Sequence, residues 1–232
     1  MLCDEGLWRD QVAELPGAAV VRWGDAETIS GFARNVLEQA PPGPFALAGL
    51  SMGGYVAFEV LRQAPERVAR LALLDTRADA DDEQVARSRR SAIEHASRPG
   101  FDKALGRLMR MLVHPDHLRN PEVMDRITGM VERAGAESFV RQQRSMATRP
   151  DSRSLLSGIR CPTLVLCGRQ DRTAPVEVHE AMASAIPDAR LVVIEDCGHL
   201  SPIECPAEVT AALRVWLGWP GFDAEARSRR AE

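Results

Sequence analysis

Residues 47–54 read Leu47-Ala-Gly-Leu-Ser-Met-Gly-Gly54, a Gly-x-Ser-x-Gly pentapeptide (Gly49, Ser51, Gly53) set between an apolar run and an amphipathic one. Upstream, Phe45-Ala-Leu-Ala follows the breaker Pro41-Pro-Gly-Pro, as a short buried parallel strand does. Downstream, Tyr55-Val-Ala-Phe-Glu-Val-Leu-Arg62 carries apolar residues at helical spacing and stops before Pro65. A strand that turns this abruptly into a helix throws the serine hydroxyl to the apex in a strained conformation, and the flanking glycines permit the turn. The helix that begins there aims its free N–H groups at the same point, where they hold negative charge developing on an attacked carbonyl. Nucleophile and charge stabilisation come from one stretch.

Working outward, the strand and helix signals alternate: helix near 5–15, strand Ala18 to Trp23, helix 26–39, strand 45–50, helix 52–63, strand Val68 to Asp75. From Thr76 to about Gly158 the strand signals vanish, and Leu105, Leu108, Met109 and Leu112 stand at helical spacing in a charged segment, which predicts a helical insertion. The alternation then resumes with strand Thr163 to Cys167, helix 176–186, strand Leu191 to Ile194 and helix 206–217. The expected architecture is a discontinuous α/β core, residues 1–75 and 159–219, a helical segment 76–158, and a polar tail 220–232.

A chain of 232 residues with 45% hydrophobic content builds one sizeable globular core. A net charge of −4 without a basic face argues against nucleic acid as a partner, and the Arg-rich stretches Arg87-Ser-Arg-Arg90 and Arg227-Ser-Arg-Arg-Ala-Glu232 read as solvated helix and tail. No apolar run approaches the roughly 18 residues of a membrane span, and no charged-then-apolar leader opens the sequence, so the expectation is a cytoplasmic protein without a membrane partner. Five cysteines (Cys3, Cys161, Cys167, Cys197, Cys205) without a Cys-x-x-Cys pair fit reduced core thiols. No cofactor or metal is implied.

A serine hydroxyl attacks only when a base takes its proton and a carboxylate orients that base. Of five histidines, His199 in Glu195-Asp-Cys-Gly-His-Leu-Ser-Pro follows the last predicted strand, which puts it on the same edge of the sheet as Ser51, where open parallel sheets bind ligands. His95, His114 and His117 fall in the inserted segment and His179 in a helix; Pro115 between His114 and His117, with no further ligand cluster, favours a surface role over metal binding there. Asp171, after the strand Thr163-Leu-Val-Leu-Cys, is the leading candidate for the orienting acid, with the strand-end carboxylates Asp75 and Asp196 as alternatives. A turn or helix-cap role for Asp171 is the plainer possibility. Phe101, Leu105, Leu108, Met109, Met111 and Met130 either line an acyl pocket or pack a small core, the second being the commoner use of such residues.

With Ser51, Asp171 and His199 in that chain order, the sequence resembles the α/β-hydrolase superfamily, whose hallmark is the order nucleophile, acid, histidine. The resemblance rests on Gly49-Leu-Ser-Met-Gly-Gly54, on Leu166-Cys-Gly-Arg-Gln-Asp171 with Ala174-Pro-Val after it, and on Asp196-Cys-Gly-His-Leu200 followed by Glu204 and Pro206. It implies a mostly parallel sheet flanked by helices, with segment 76–158 where the family carries its lid, and it is closest to small, cofactor-independent bacterial esterases, lactonases and carbon–carbon bond hydrolases.

The resemblance further implies an acyl-enzyme on Ser51, with the oxyanion held by the backbone N–H of Met52 and by a second donor from an N-terminal loop. Leu2-Cys-Asp-Glu-Gly-Leu-Trp8 resembles the residues after that donor, which puts Met1 at the donor position and leaves the family's first strands unaccounted for. One of those strands lies in the family between the strands represented here by 18–23 and 45–50. Its loss leaves backbone groups unpaired at about 1–3 kcal/mol each when buried, so the expectation is a shortened form of a longer protein. Unpaired sheet edges would also favour an oligomer. The leading expectation is a serine hydrolase of a small carboxylic ester or lactone. A C–C hydrolase of vinylogous diketones or a cofactor-free perhydrolase would use the same residues, and a catalytically silent binding protein is the alternative from another class.

Overall fold

A computed structural model describes residues 1–96, 98 and 100–220; the predicted polar tail beyond Pro220 lies outside the described residues. Four strands, β1 (Phe45–Leu50), β2 (Val68–Leu74), β3 (Thr163–Gly168) and β4 (Ala189–Ile194), form one sheet in the order β1-β2-β3-β4. All three pairings are parallel, with Leu50 opposite Leu74, Leu74 opposite Leu166, and Gly168 opposite Ile194. Parallel strands need crossover connections, and the helices that supply them cover both faces of the sheet.

Alternation along the strands separates two cores. Leu71, Leu73 and Val165 pack with residues of α2 (Ile29–Gln39), α3 (Met52–Gln63) and α8 (Val176–Ala185). Ala72, Leu74, Leu164 and Leu166 pack on the other face with α10 (Pro206–Leu217) and with inserted helices. Strand β3 is buried from end to end, which is why Thr163-Leu-Val-Leu-Cys is a continuous apolar run. Helix α2 begins later than its apolar pattern suggests, because the Thr28 hydroxyl accepts from Gly31 N (3.0 Å) and caps it there.

The predicted helical insertion stands between β2 and β3 as α4 (Glu83–His95), α5 (Phe101–Arg110), α6 (Pro121–Ala147) and the short α7 (Arg153–Leu156). Helix α6 is broken at Gly135, whose φ of 70° lies in the left-handed region. The insertion is tied to the N-terminal segment, a 3-10 turn (Glu5–Trp8) leading into α1 (Arg9–Glu14): Arg126 binds Asp10 (2.6 Å) and Gly6 O (2.6 Å), and Arg133 binds Asp4 (2.7 Å). Leu105, Met109 and Met130 are fully buried core residues, whereas Met111 is 73% exposed. A last turn, α9 (Ser201–Glu204), precedes α10.

One predicted element is corrected. Residues 18–23 form no strand and run as irregular chain. A strand exists by virtue of its neighbours' hydrogen bonds, and here the backbone is taken by side chains of α2 instead of by the edge strand β1: Gln39 bonds Arg22 N (3.2 Å) and O (2.9 Å), and Asn35 Nδ2 donates to Trp23 O (2.6 Å). Trp23 instead packs edge-on against Phe32, with ring centroids 5.1 Å apart.

Candidate active site

The carboxyl ends of all four strands converge on one locality. Ser51 follows β1 with φ 53° and ψ −114°, a conformation that a non-glycine residue holds only when its surroundings impose it. Gly49 is what permits the bend, since a Cβ there would run into the backbone of Gly53. Gly53, the motif's other glycine, has open space where its Cβ would be, whereas a Cβ on the next residue, Gly54, would run into the Thr76 side chain, so close approach calls for glycine at 49 and 54. Ser51 N donates to Leu74 O (2.9 Å), which carries the ladder into the turn, and Met52 begins α3 with its N–H in the unpaired first turn.

The structure brings the three residues singled out by the sequence together. His199 Nε2 lies 2.9 Å from Ser51 Oγ, and His199 Nδ1 lies 2.7 Å from Asp171 Oδ2. Asp171 Oδ1 accepts from Thr173 N (2.7 Å) and Ala174 N (3.1 Å), so the cap role and the orienting role belong to the same carboxylate. Burial pushes this carboxyl up, but His199 and the backbone donors outweigh it and hold it below the usual range. An ionised Asp171 only accepts, so Nδ1 carries the imidazole proton and Nε2 is left to accept from the serine hydroxyl.

The alternative carboxylates do not reach the imidazole. Asp75, at the end of β2 with φ 45°, accepts from Gly168 N (3.0 Å) and from the Ser201 hydroxyl (2.5 Å). Burial first, and the charge of Asp171 second, push its carboxyl well above the usual range. Asp196 is exposed. Met1 packs against both cores, with its thioether 3.4 Å from Gln143 Nε2; burial, offset by Cys3 and aided by Arg89, lowers the pKa of its amine.

Several supporting residues escaped the sequence. The Thr76 hydroxyl donates to Ser51 O (2.7 Å) while Thr76 N donates to His179 Nε2 (3.0 Å), so the fully buried His179 supports the Ser51 turn through Thr76. Its other ring nitrogen meets Pro175 O (3.2 Å), and burial lowers its pKa, which keeps the ring neutral. Glu204 accepts from backbone on both sides of His199. His117 is not the surface residue expected: it is half-buried and bonded to Glu204 (3.1 Å), with the His114 ring against it. Among the described residues no His, Cys, Asp and Glu group could hold a metal ion. All five cysteines are free thiols, and burial pushes Cys161 up to about 11 and Cys167 to about 12.

A cleft of about 180 Å³ opens between the N-terminal segment and α6, lined by Trp23, Phe32, Met130, Arg133 and Arg141 among others. None of its lining residues belongs to the Ser51–His199–Asp171 chain.

The pattern of the alpha/beta hydrolase fold family matches residues 22–206, more than half of the chain. The chain belongs to that family. A thermophilic esterase from Thermogutta terrifontis, solved with malate bound, superposes on this hydrolase with a TM-score of 0.83 at 38% identity, over 93% of this chain and 85% of its own. Among curated proteins, a pimeloyl-[acyl-carrier protein] methyl ester esterase of Neisseria meningitidis is 28% identical over 89% of this chain and 67% of its own length. A 2-hydroxy-6-oxononadienedioate/2-hydroxy-6-oxononatrienedioate hydrolase of Cupriavidus pinatubonensis is 28% identical over 78% of this chain and 64% of its own. Its relatives mark this alpha/beta hydrolase as an enzyme. Among the described residues no helix is long and apolar enough to cross a membrane.

Proposed function

We propose that the chain is a serine hydrolase that cleaves a small carboxylic ester or lactone through an acyl-enzyme on Ser51. The observation that carries this is the unbroken series of hydrogen bonds from Ser51 Oγ through His199 to Asp171, at 2.9 and 2.7 Å, ending on the apex of the strained turn. Ser51 Oγ attacks the carbonyl carbon as its proton passes to His199 Nε2, and Asp171 stabilises the resulting imidazolium. The oxyanion rests on the Met52 N–H and on the backbone nitrogen of Met1, and each such donor is worth roughly a hundred- to thousandfold in rate. Collapse expels the alcohol with the proton from Nε2, and water, activated by the same nitrogen, releases the acid and restores the serine. Segment 76–158 serves as the lid over this site.

An active-site-directed phosphonate is expected to label the protein at Ser51 and to leave Ser51→Ala unlabelled; equal labelling of the two overturns the proposal and favours a binding protein. The likeness to a hydrolase of a dienedioate compound supports a second reading, cleavage of a carbon–carbon bond by the same residues. A panel of chromogenic methyl esters, lactones and vinylogous diketones separates the two by product.

A further inference from the structure

Glu204 closes the four-residue α9, and its side chain is 0% exposed. A carboxylate so far from water is tolerable only when donors surround it. Four do. Oε1 accepts from Leu200 N (2.9 Å); Oε2 accepts from Gly198 N (3.1 Å), His114 N (2.7 Å) and His117 Nδ1 (3.1 Å).

These donors come from two places. Gly198 and Leu200 flank His199, so the carboxylate holds the backbone on either side of the imidazole. His114 and His117 belong to the strap between α5 and α6 of the inserted segment. The two are joined again without Glu204, because His199 N donates to Leu112 O (2.7 Å). They also sit too close to admit a side chain at Gly198, where a Cβ would meet Leu112 O at 2.6 Å and His114 N at 2.7 Å. Asp171 sets the tilt of the imidazole through Nδ1, but where the ring stands depends on the backbone of 198–200. That backbone is secured to Glu204 and to the strap alike.

We infer that Glu204 is a positioning residue that sets the His199 loop and clasps the 112–117 strap onto it, so that the base and this part of the inserted segment are placed together or not at all. The inference rests on the Ser51–His199–Asp171 reading for its catalytic half only; the clasp is a claim about backbone hydrogen bonds.

The test is native-state hydrogen exchange on the full chain in increasing urea, joined to kinetics of Glu204→Gln. In the unaltered protein the amides of His114, Gly198, His199 and Leu200 are expected to exchange through one shared opening with a common urea dependence. Separate openings of strap and loop overturn the clasp, and this outcome needs no variant. Glu204→Gln keeps the volume and turns an NH2 group on donors that had an acceptor. It is expected to speed exchange at all four amides and to lower kcat on a chromogenic ester roughly ten- to a hundredfold, with KM shifted less than about threefold. Faster exchange at 198–200 with His114 unmoved overturns the coupling. Faster exchange with kcat kept within about threefold overturns the positioning role. Failure of phosphonate to label Ser51 in the unaltered protein strikes the catalytic reading and with it the positioning of a base, while the exchange results still decide the clasp.

Discussion

Asp75 and Asp171 stand at the ends of neighbouring parallel strands, are 0% and 3% exposed, and carry opposite fates. Asp171 faces an imidazole and two backbone N–H groups and is held ionised; Asp75 faces a hydroxyl and one N–H, with the charge of Asp171 nearby, and its carboxyl is pushed up. Burial acts on both in the same direction. What separates them is a partner able to become a cation, so equal burial at equal places in a sheet does not make equivalent acids.

The sharpest way to break this contrast is Asp171→Asn. It removes the acceptor that fixes the His199 tautomer, and kcat should fall by about 10⁴-fold, read by ester hydrolysis at saturating substrate. A comparable fall in Asp75→Asn, with Asp171→Asn mild, would reverse the assignment. Next in size is Ser201→Ala, which strips Asp75 of its hydroxyl donor in a fully buried place. Urea unfolding should register a loss of about 1–3 kcal/mol.

Asp75→Asn sharpens the contrast through pH. The unfolded carboxyl titrates near its ordinary 3.8, while the folded one holds its proton to higher pH. Above that value the unfolded chain has lost a proton that the folded chain keeps, so Asp75 lowers stability progressively as pH rises toward its folded pKa. Asparagine keeps an acceptor for Gly168 N and a donor for Ser201 and carries no proton to lose. It should match the unaltered protein near pH 4 and be the more stable of the two near pH 8, the gap widening as pH rises, as measured by urea midpoints. The smallest effect is on rate: kcat of Asp75→Asn at neutral pH should stay within about threefold, since the amide keeps the hydrogen bonds to Gly168 and Ser201 and neither goes to Ser51, His199 or Asp171.

The three central residues were legible because each follows a short apolar run in a loop at the carboxyl end of a strand, a placement that sequence order alone reveals. The inserted helices were legible as a lapse in strand pattern between two intact βα units. Val20 and Val21 misled because a β-branched pair reports a preference for extended chain, not the presence of a partner strand. Thr76 and His179 were silent for a different reason, and Glu204 stood in the motif after His199 without a role. Thr76 and His179 stand 103 positions apart, and the reach of Glu204 to His114 spans 90 positions, so no local spacing registers either contact. The Leu105 and Met109 alternatives, pocket or core, required burial to resolve, and burial places them in the core, whereas Met130 is buried and also borders the cleft beside α6.

The left-handed backbone of Ser51 also carries a cost. A residue with a side chain pays about 1–3 kcal/mol to stay there, and glycine at the same place would not. On the role proposed for Ser51, stability and chemistry pull position 51 in opposite directions, and a change to glycine there would trade the hydroxyl for folding robustness. A Ser51→Gly form should therefore unfold at higher urea than the unaltered protein while losing the hydroxyl, so the strain at the apex can be weighed directly against what the side chain does there.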